Sequence, residues 1–233
     1  MTAAEHERVT DVTYLGVVHG TLAALRRMAP RDRGTIVQVS SGLAYRAIPL
    51  QSAYCAAKHA VLGFTDSLRC ELLHDRSRIR LTSVHLPATN TPQFDWVANR
   101  VPGRPAPPDP IYQPELDARA IVWALDHAPR QLYVGGPTVA ALWAQRLLPG
   151  LADRYLARKA WEGQFAPEPD SPSRPSNLWQ PVPGEQGAHG RFDDRAVARS
   201  PQLWMATHRP LLAAIAGSVA AAAGALWLRR RRG

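Results

Sequence analysis

Three short apolar segments, each separated from the next by a helical stretch, restrict this chain more than any other feature. TIVQVSS (35–41) is rich in Ile and Val, RLTSVHLP (80–87) stops at Pro87, and QLYVGG (131–136) ends in two glycines. Each has the length and content of a buried strand. Before the first, Val12, Leu15, Val18, Leu22 and Leu25 recur at helical spacing, so residues 8–29 read as an amphipathic helix. Residues 52–73 read as a long helix of good helix formers, 115–128 as another, and 138–160 as one or two more, broken at Pro149-Gly150. Prolines between Val101 and Pro114 make the loop 88–114 irregular. Alternating helix and strand predicts an α/β fold: a parallel sheet, incomplete at three strands, with helices on its faces. Right-handed crossovers put the strand C-termini at one edge, where ligands bind in such folds. Ser41 and Pro87 lie at that edge.

Residues 1–162 make up this α/β part. From 163 to 206, prolines interrupt a polar run that reads as a linker with no core of its own. PLLAAIAGSVAAAAGALWL (210–228) then carries no charge in 19 residues. As a helix it would reach roughly 28 Å, close to the ~30 Å hydrocarbon core of a bilayer. Trp227 and the arginines 229–232 suit an interfacial end. Residues 207–233 are therefore expected to be a transmembrane anchor, and the protein membrane-associated with its α/β part facing the cytoplasm. Of the net charge of +9, five units come from Arg209 and Arg229 to Arg232, leaving +4 for residues 1–206. That distribution argues against a nucleic-acid-binding face. Two cysteines, Cys55 and Cys70, exclude a disulfide framework and a four-thiolate zinc site. The eight histidines include no pair at ligand spacing, so no metal is expected.

Tyr54 and Lys58 stand at i and i+4 of the 52–73 helix, on one face. Ser41 ends the preceding strand, thirteen residues before Tyr54. With this spacing, GTIVQVSSGLAYRAIPLQSAYCAAKHAVLGFTDSLRCEL strongly resembles the second half of the short-chain dehydrogenase/reductase family, over about residues 5–160. The resemblance implies a Rossmann-like, doubly wound sheet, here its last three strands. It also implies an oxidoreductase that interconverts a small-molecule alcohol and its carbonyl with NAD or NADP. The residue types suit that chemistry. A phenol has an ordinary pKa of about 10, and a nearby ammonium such as Lys58 would lower it. A hydroxyl at Ser41 can bond the substrate oxygen as charge develops. Hydride must come from a cofactor, since no side chain donates one. By resemblance, Ser41, Tyr54 and Lys58 are the catalytic set, and Tyr54, Lys58, Pro87 and Thr91 the cofactor contacts. Phe94 and Trp96 stand at the family's substrate loop, where core packing and substrate contact are alternatives. Ser40 reads as bonding backbone, and Ala140, Leu142, Leu147 and Leu148 read as core.

Three departures from the family pattern stand out. Thr13 occupies the place of an asparagine that, in the family, shapes the helix and positions a water for a proton relay. Pro87-Ala88 stands for a Pro-Gly turn, and Thr91 comes one residue earlier than usual. The glycine-rich phosphate loop, Gly-x-x-x-Gly-x-Gly or an equivalent, occurs after none of the three strands. In the family that loop lies in strand–helix units ahead of the part resembled here, roughly 90 residues at ~30 per unit. The expected reading is a catalytic portion whose reading frame starts at an internal methionine. The alternative is a truncated, non-catalytic relative, acting as an anchored interaction module or not stably folded. Family members pair through helices corresponding to 8–29 and 52–73, which implies a possible homodimer.

Overall fold

The computed structural model describes residues 1–101, 103–171, 173–218 and 227. Helix α1 (Ala3–Thr10) runs through a π-turn (Asp11–Leu15) into α2 (Gly16–Met28). Strand β1 (Gly34–Ser41), helix α3 (Ser52–His74) and strand β2 (Ile79–Leu86) follow. After a short β3 (Gly103–Pro105) come α4 (Pro114–His127), β4 (Gln131–Tyr133), α5 (Gly136–Leu147) and α6 (Pro149–Lys159). β5 (Phe165–Pro169) and α7 (Pro201–Thr207) come next. The three expected strands form a parallel sheet in the order β1-β2-β4. The last is shorter than read, because Gly135, at φ 83°, turns the chain straight into α5. A Cβ there would lie 2.9 Å from the Tyr112 ring, so this glycine serves close packing as well as the turn.

Both sheet faces are covered. Ile36 of β1, with Ile79 and Leu81, packs on Leu68 of α3 and Leu25 and Met28 of α2. Its neighbour Val37 points the other way, as strand alternation requires, into a cluster of Val84, Leu132, Leu116, Ala120 and Ala124. The apolar stripe of residues 8–29 is only partly buried: Leu25 packs inside, while Val12 and Leu22 are exposed. A π-turn inserts an extra residue and rotates the following turns against the 3.6-residue period, which breaks the stripe. Of the four residues read as core after 138, only Leu142 is buried; Ala140, Leu147 and Leu148 face outward.

The stretch 163–200 corrects the expectation of a linker without a core. β5 pairs antiparallel with β3. Phe192 is buried with Ala106 and Ile111. Asn90, fully buried in the loop after β2, accepts a bond from the Phe192 N–H (3.1 Å) and donates to Asp193 Oδ1 (2.8 Å). The Ser200 hydroxyl caps α7 by accepting from Leu203 N–H (3.1 Å), and Leu203 enters the main core. Prolines prevent helix here, yet an extended strap needs only an occasional anchor to pack. Residues 209–218 are helical and largely exposed. The rest of the 210–228 segment, apart from Trp227, lies outside the described residues. Among the described residues, no helix is long and apolar enough to cross a membrane.

Candidate active site

Helix α3 is the crossover between β1 and β2, so its first turns stand beside the C-terminal end of β1. Tyr54 and Lys58, one turn apart, are both partly buried there. Lys58 Nζ donates to the Val39 carbonyl (3.2 Å) and sits 5.6 Å from the Tyr54 ring centroid. The Ser41 hydroxyl lies near the Tyr54 phenol and acts to lower its pKa. Ser41 Oγ also accepts from Leu43 N–H (3.1 Å), which fixes its position as the strand ends. The fold thus brings Ser41, Tyr54 and Lys58 together.

The electrostatics differ from the sequence expectation in one respect. Burial pushes the Tyr54 phenol above its ordinary value, opposed by the nearby Ser41 hydroxyl, and burial pushes the Lys58 ammonium down. Lys58 is directed at a backbone carbonyl, so desolvation outweighs any lowering of Tyr54 by its charge. At neutral pH the phenol keeps its proton and is poised as a donor.

Sequence reasoning missed His85. It is fully buried under the site, its ring in a triangle with Tyr45 (centroids 4.9 Å) and Tyr133 (5.1 Å), which also touch each other (5.8 Å). Nδ1 lies 3.3 Å from the Ser41 carbonyl and Nε2 3.2 Å from Ser83 Oγ. With Nδ1–H donating to the carbonyl, Nε2 accepts from the serine, and both ring nitrogens are satisfied in the neutral form. Burial holds its pKa at about 4. The only available signal was a histidine inside an apolar strand.

Pro87 directly follows Leu86, the register partner of Ser41, so the loop after β2 starts at the same edge. Thr89 Oγ1 donates to Asp117 Oδ2 (2.6 Å), and burial raises the Asp117 carboxyl to about 6. Thr91 N–H donates to the Thr89 carbonyl (2.9 Å), and a Cβ at Gly190 would come 2.5 Å from the Thr91 carbonyl oxygen. The strap 189–193 therefore lies directly on this loop. Phe94 packs edge-on against Phe192 (5.7 Å), which makes it a core residue. Trp96 borders an open groove with Arg8 and Val12. Thr13 lies inside the π-turn, so the helix irregularity forms without an asparagine. Among the described residues, no three His, Cys, Asp or Glu side chains gather as metal ligands.

The donors at this edge, Tyr54 Oη and Lys58 Nζ, fit the nicotinamide-ribose end of a dinucleotide. Its pyrophosphate finds no matching turn among the described residues: in the one glycine pair at a strand end, Gly135-Gly136, Gly135 is packed against Tyr112, and Pro137 follows.

Residues 1–100 match the family model described as short chain dehydrogenase. The uncharacterized oxidoreductase YxnA of Bacillus subtilis is 32% identical over 228 residues, covering 96% of this chain and 63% of that protein. Over residues 1–100 the chain is of the short-chain dehydrogenase type, and it is similar to oxidoreductases of that family. The putative oxidoreductase SadH of Mycobacterium tuberculosis is 48% identical over 79 residues, 34% of this chain and 29% of that protein. Among solved structures, a short-chain dehydrogenase from Burkholderia cenocepacia in complex with NADP is 21% identical. It covers 63% of this chain and 56% of its own, with a TM-score of 0.46. The chain spans less than two thirds of the length of these curated relatives. Its short-chain dehydrogenase match includes β1, α3 and β2, the elements that assemble Ser41, Tyr54 and Lys58.

Proposed function

We propose that this chain carries the catalytic half of an NAD(P)-dependent oxidoreductase acting on a small alcohol and its carbonyl. The observation that carries the reading is the gathering of the Tyr54, Lys58 and Ser41 side chains at the end of β1, with Lys58 Nζ 5.6 Å from the Tyr54 ring centroid and hydrogen-bonded to the Val39 carbonyl. Tyr54 and Lys58, with the loop from Pro87 to Thr91, would hold the nicotinamide end of the cofactor. When bound, the nicotinamide supplies or accepts the hydride. Ser41 Oγ orients the substrate oxygen. Tyr54 Oη, protonated at neutral pH, gives its proton to that oxygen as the carbonyl is reduced. Lys58 places a positive charge near the phenolate that forms and steadies it. His85 fixes the Ser41 backbone from below.

Two finer readings belong to the same proposal. A homodimer would pair through α1–α2 and α3, where Val12 and Leu22 are exposed. A membrane tether through 210–228 rests on the charge-free sequence of that segment.

The test is the chain fused behind a dinucleotide-binding strand–helix unit, assayed for carbonyl reduction with NADH and NADPH. Tyr54→Phe is expected to lower turnover by about 100-fold or more while nucleotide binding stays unchanged. Turnover within about threefold of the parent removes Tyr54 from the chemistry.

A further inference from the structure

Exposed large apolar side chains are concentrated on one pair of helices. Trp143 and Leu147 lie four residues apart on α5, Leu151 and Tyr155 four apart on α6, and Leu148 joins them at the break between the helices; all five are exposed. Residues three to four apart share a helix face, so each pair forms an outward stripe. Their opposite faces hold the structure: Leu142 is buried, and Arg46 reaches Gln145 and Asp153 (both 2.5 Å).

The charge beside this stripe has one sign. Residues 136–161 contain Arg146, Arg154, Arg158 and Lys159 against a single acid, Asp153. That acid is already paired with Arg46. Arg146 stacks on Trp143 at 5.9 Å. Among the described residues, none of the four cations meets a carboxylate. A tryptophan, a tyrosine and leucines bordered by unpaired arginines and a lysine are the composition of a helix that lies in a bilayer interface.

Neighbouring elements also expose apolar side chains. α5 packs against α7, which presents Trp204 and Met205 to solvent, and the helical residues after α7 present Leu211 and Ile215. A second copy of the chain is a poor occupant, because a two-fold contact would set these cations against their own images with one paired acid between them.

We propose that the α5–α6 face docks in the plane of an anionic lipid bilayer. Its leucines and aromatic rings enter the headgroup boundary, and its cations meet lipid phosphates. The face is made by residues of α5 and α6 other than Ser41, Tyr54 and Lys58 and outside the charge-free 210–228 segment, and it does not depend on the proposed catalytic activity.

The test is partition of the full chain onto vesicles of phosphatidylcholine alone and of phosphatidylcholine with about a quarter phosphatidylglycerol. Wild type is expected to prefer the anionic vesicles by at least tenfold. Leu147→Asp with Leu151→Asp is expected to cost tenfold or more in binding to both. Arg154→Gln with Arg158→Gln is expected to cost about 30-fold on anionic vesicles and little on neutral ones. All four positions are on the surface, and an unchanged circular-dichroism melt checks the fold of each variant. Equal binding by wild type and both pairs assigns the membrane affinity to 210–228 and overturns the proposal. So does the absence of vesicle binding, or a wild-type dimer that Leu147→Asp with Leu151→Asp splits into monomers.

Discussion

His85 and Asp117 are buried groups that titrate in opposite senses. His85 has a folded pKa of about 4 against an ordinary 6.5. Between those values the unfolded chain binds a proton that the folded chain refuses. Its contribution is therefore complete above pH 6.5 and is lost as pH falls toward 4. Asp117 has a folded pKa of about 6 against 3.8, so between those values the folded chain holds a proton the unfolded one has released. Its contribution is complete below 3.8 and is lost as pH rises through 6. Each effect is about 3 kcal/mol at most, and over pH 4–6 the two slopes cancel. Urea midpoints of His85→Gln are expected to fall as pH rises across that window, and those of Asp117→Asn to rise. Parallel curves for both variants and wild type would show that neither group titrates as its burial demands.

At the scale of elements, the strap from 189 to 207 is a structural member. Phe192 fills a pocket between Ala106 and Ile111, with the guanidinium groups of Arg191 (4.7 Å) and Arg195 (5.2 Å) near its ring. Phe192→Ala is expected to cost about 3–4 kcal/mol in denaturant unfolding, where a substitution in an open linker costs about 0.5 or less. Gly190→Ala is expected to destabilise by about 1–3 kcal/mol, because the added methyl meets the Thr91 carbonyl, a backbone atom that cannot rotate away. A wild-type midpoint in either variant would detach the strap from the loop after β2.

For the whole molecule, the sheet has an open side. β1 is an edge strand, and Val39 on it is 41% exposed. On the proposed reading Tyr54 and Lys58 serve the nicotinamide end, and among the described residues no glycine-rich turn is placed for the phosphates. Dinucleotide affinity in such folds rests on backbone N–H groups at a glycine-rich helix N-terminus. Residues 1–233 by themselves are therefore expected to bind NADH and NADPH more weakly than about 100 μM. Calorimetric titration with either nucleotide checks this. Tighter binding would place the phosphates on a surface other than a glycine loop.

Much of the fold and the central site was legible in the sequence, because both depend on local periodicity. The strand runs 35–41 and 80–87 and the four-residue spacing of Tyr54 and Lys58 are fixed by backbone geometry over a few residues, and the structure keeps them. Ser41 follows for the same reason, as the last residue of a strand. What tertiary structure decided were contacts between distant segments. Nothing local marks His85 as the support of Ser41, since its partners Tyr45 and Tyr133 come from separate loops and strands. The prolines of 163–200 read as an open linker, yet Asn90 and Ile111 supply partners for Asp193 and Phe192 from about a hundred residues away. Leu147 and Leu148 read as core and face outward, because periodicity gives a helix an apolar side without saying which neighbour, protein or lipid, will cover it.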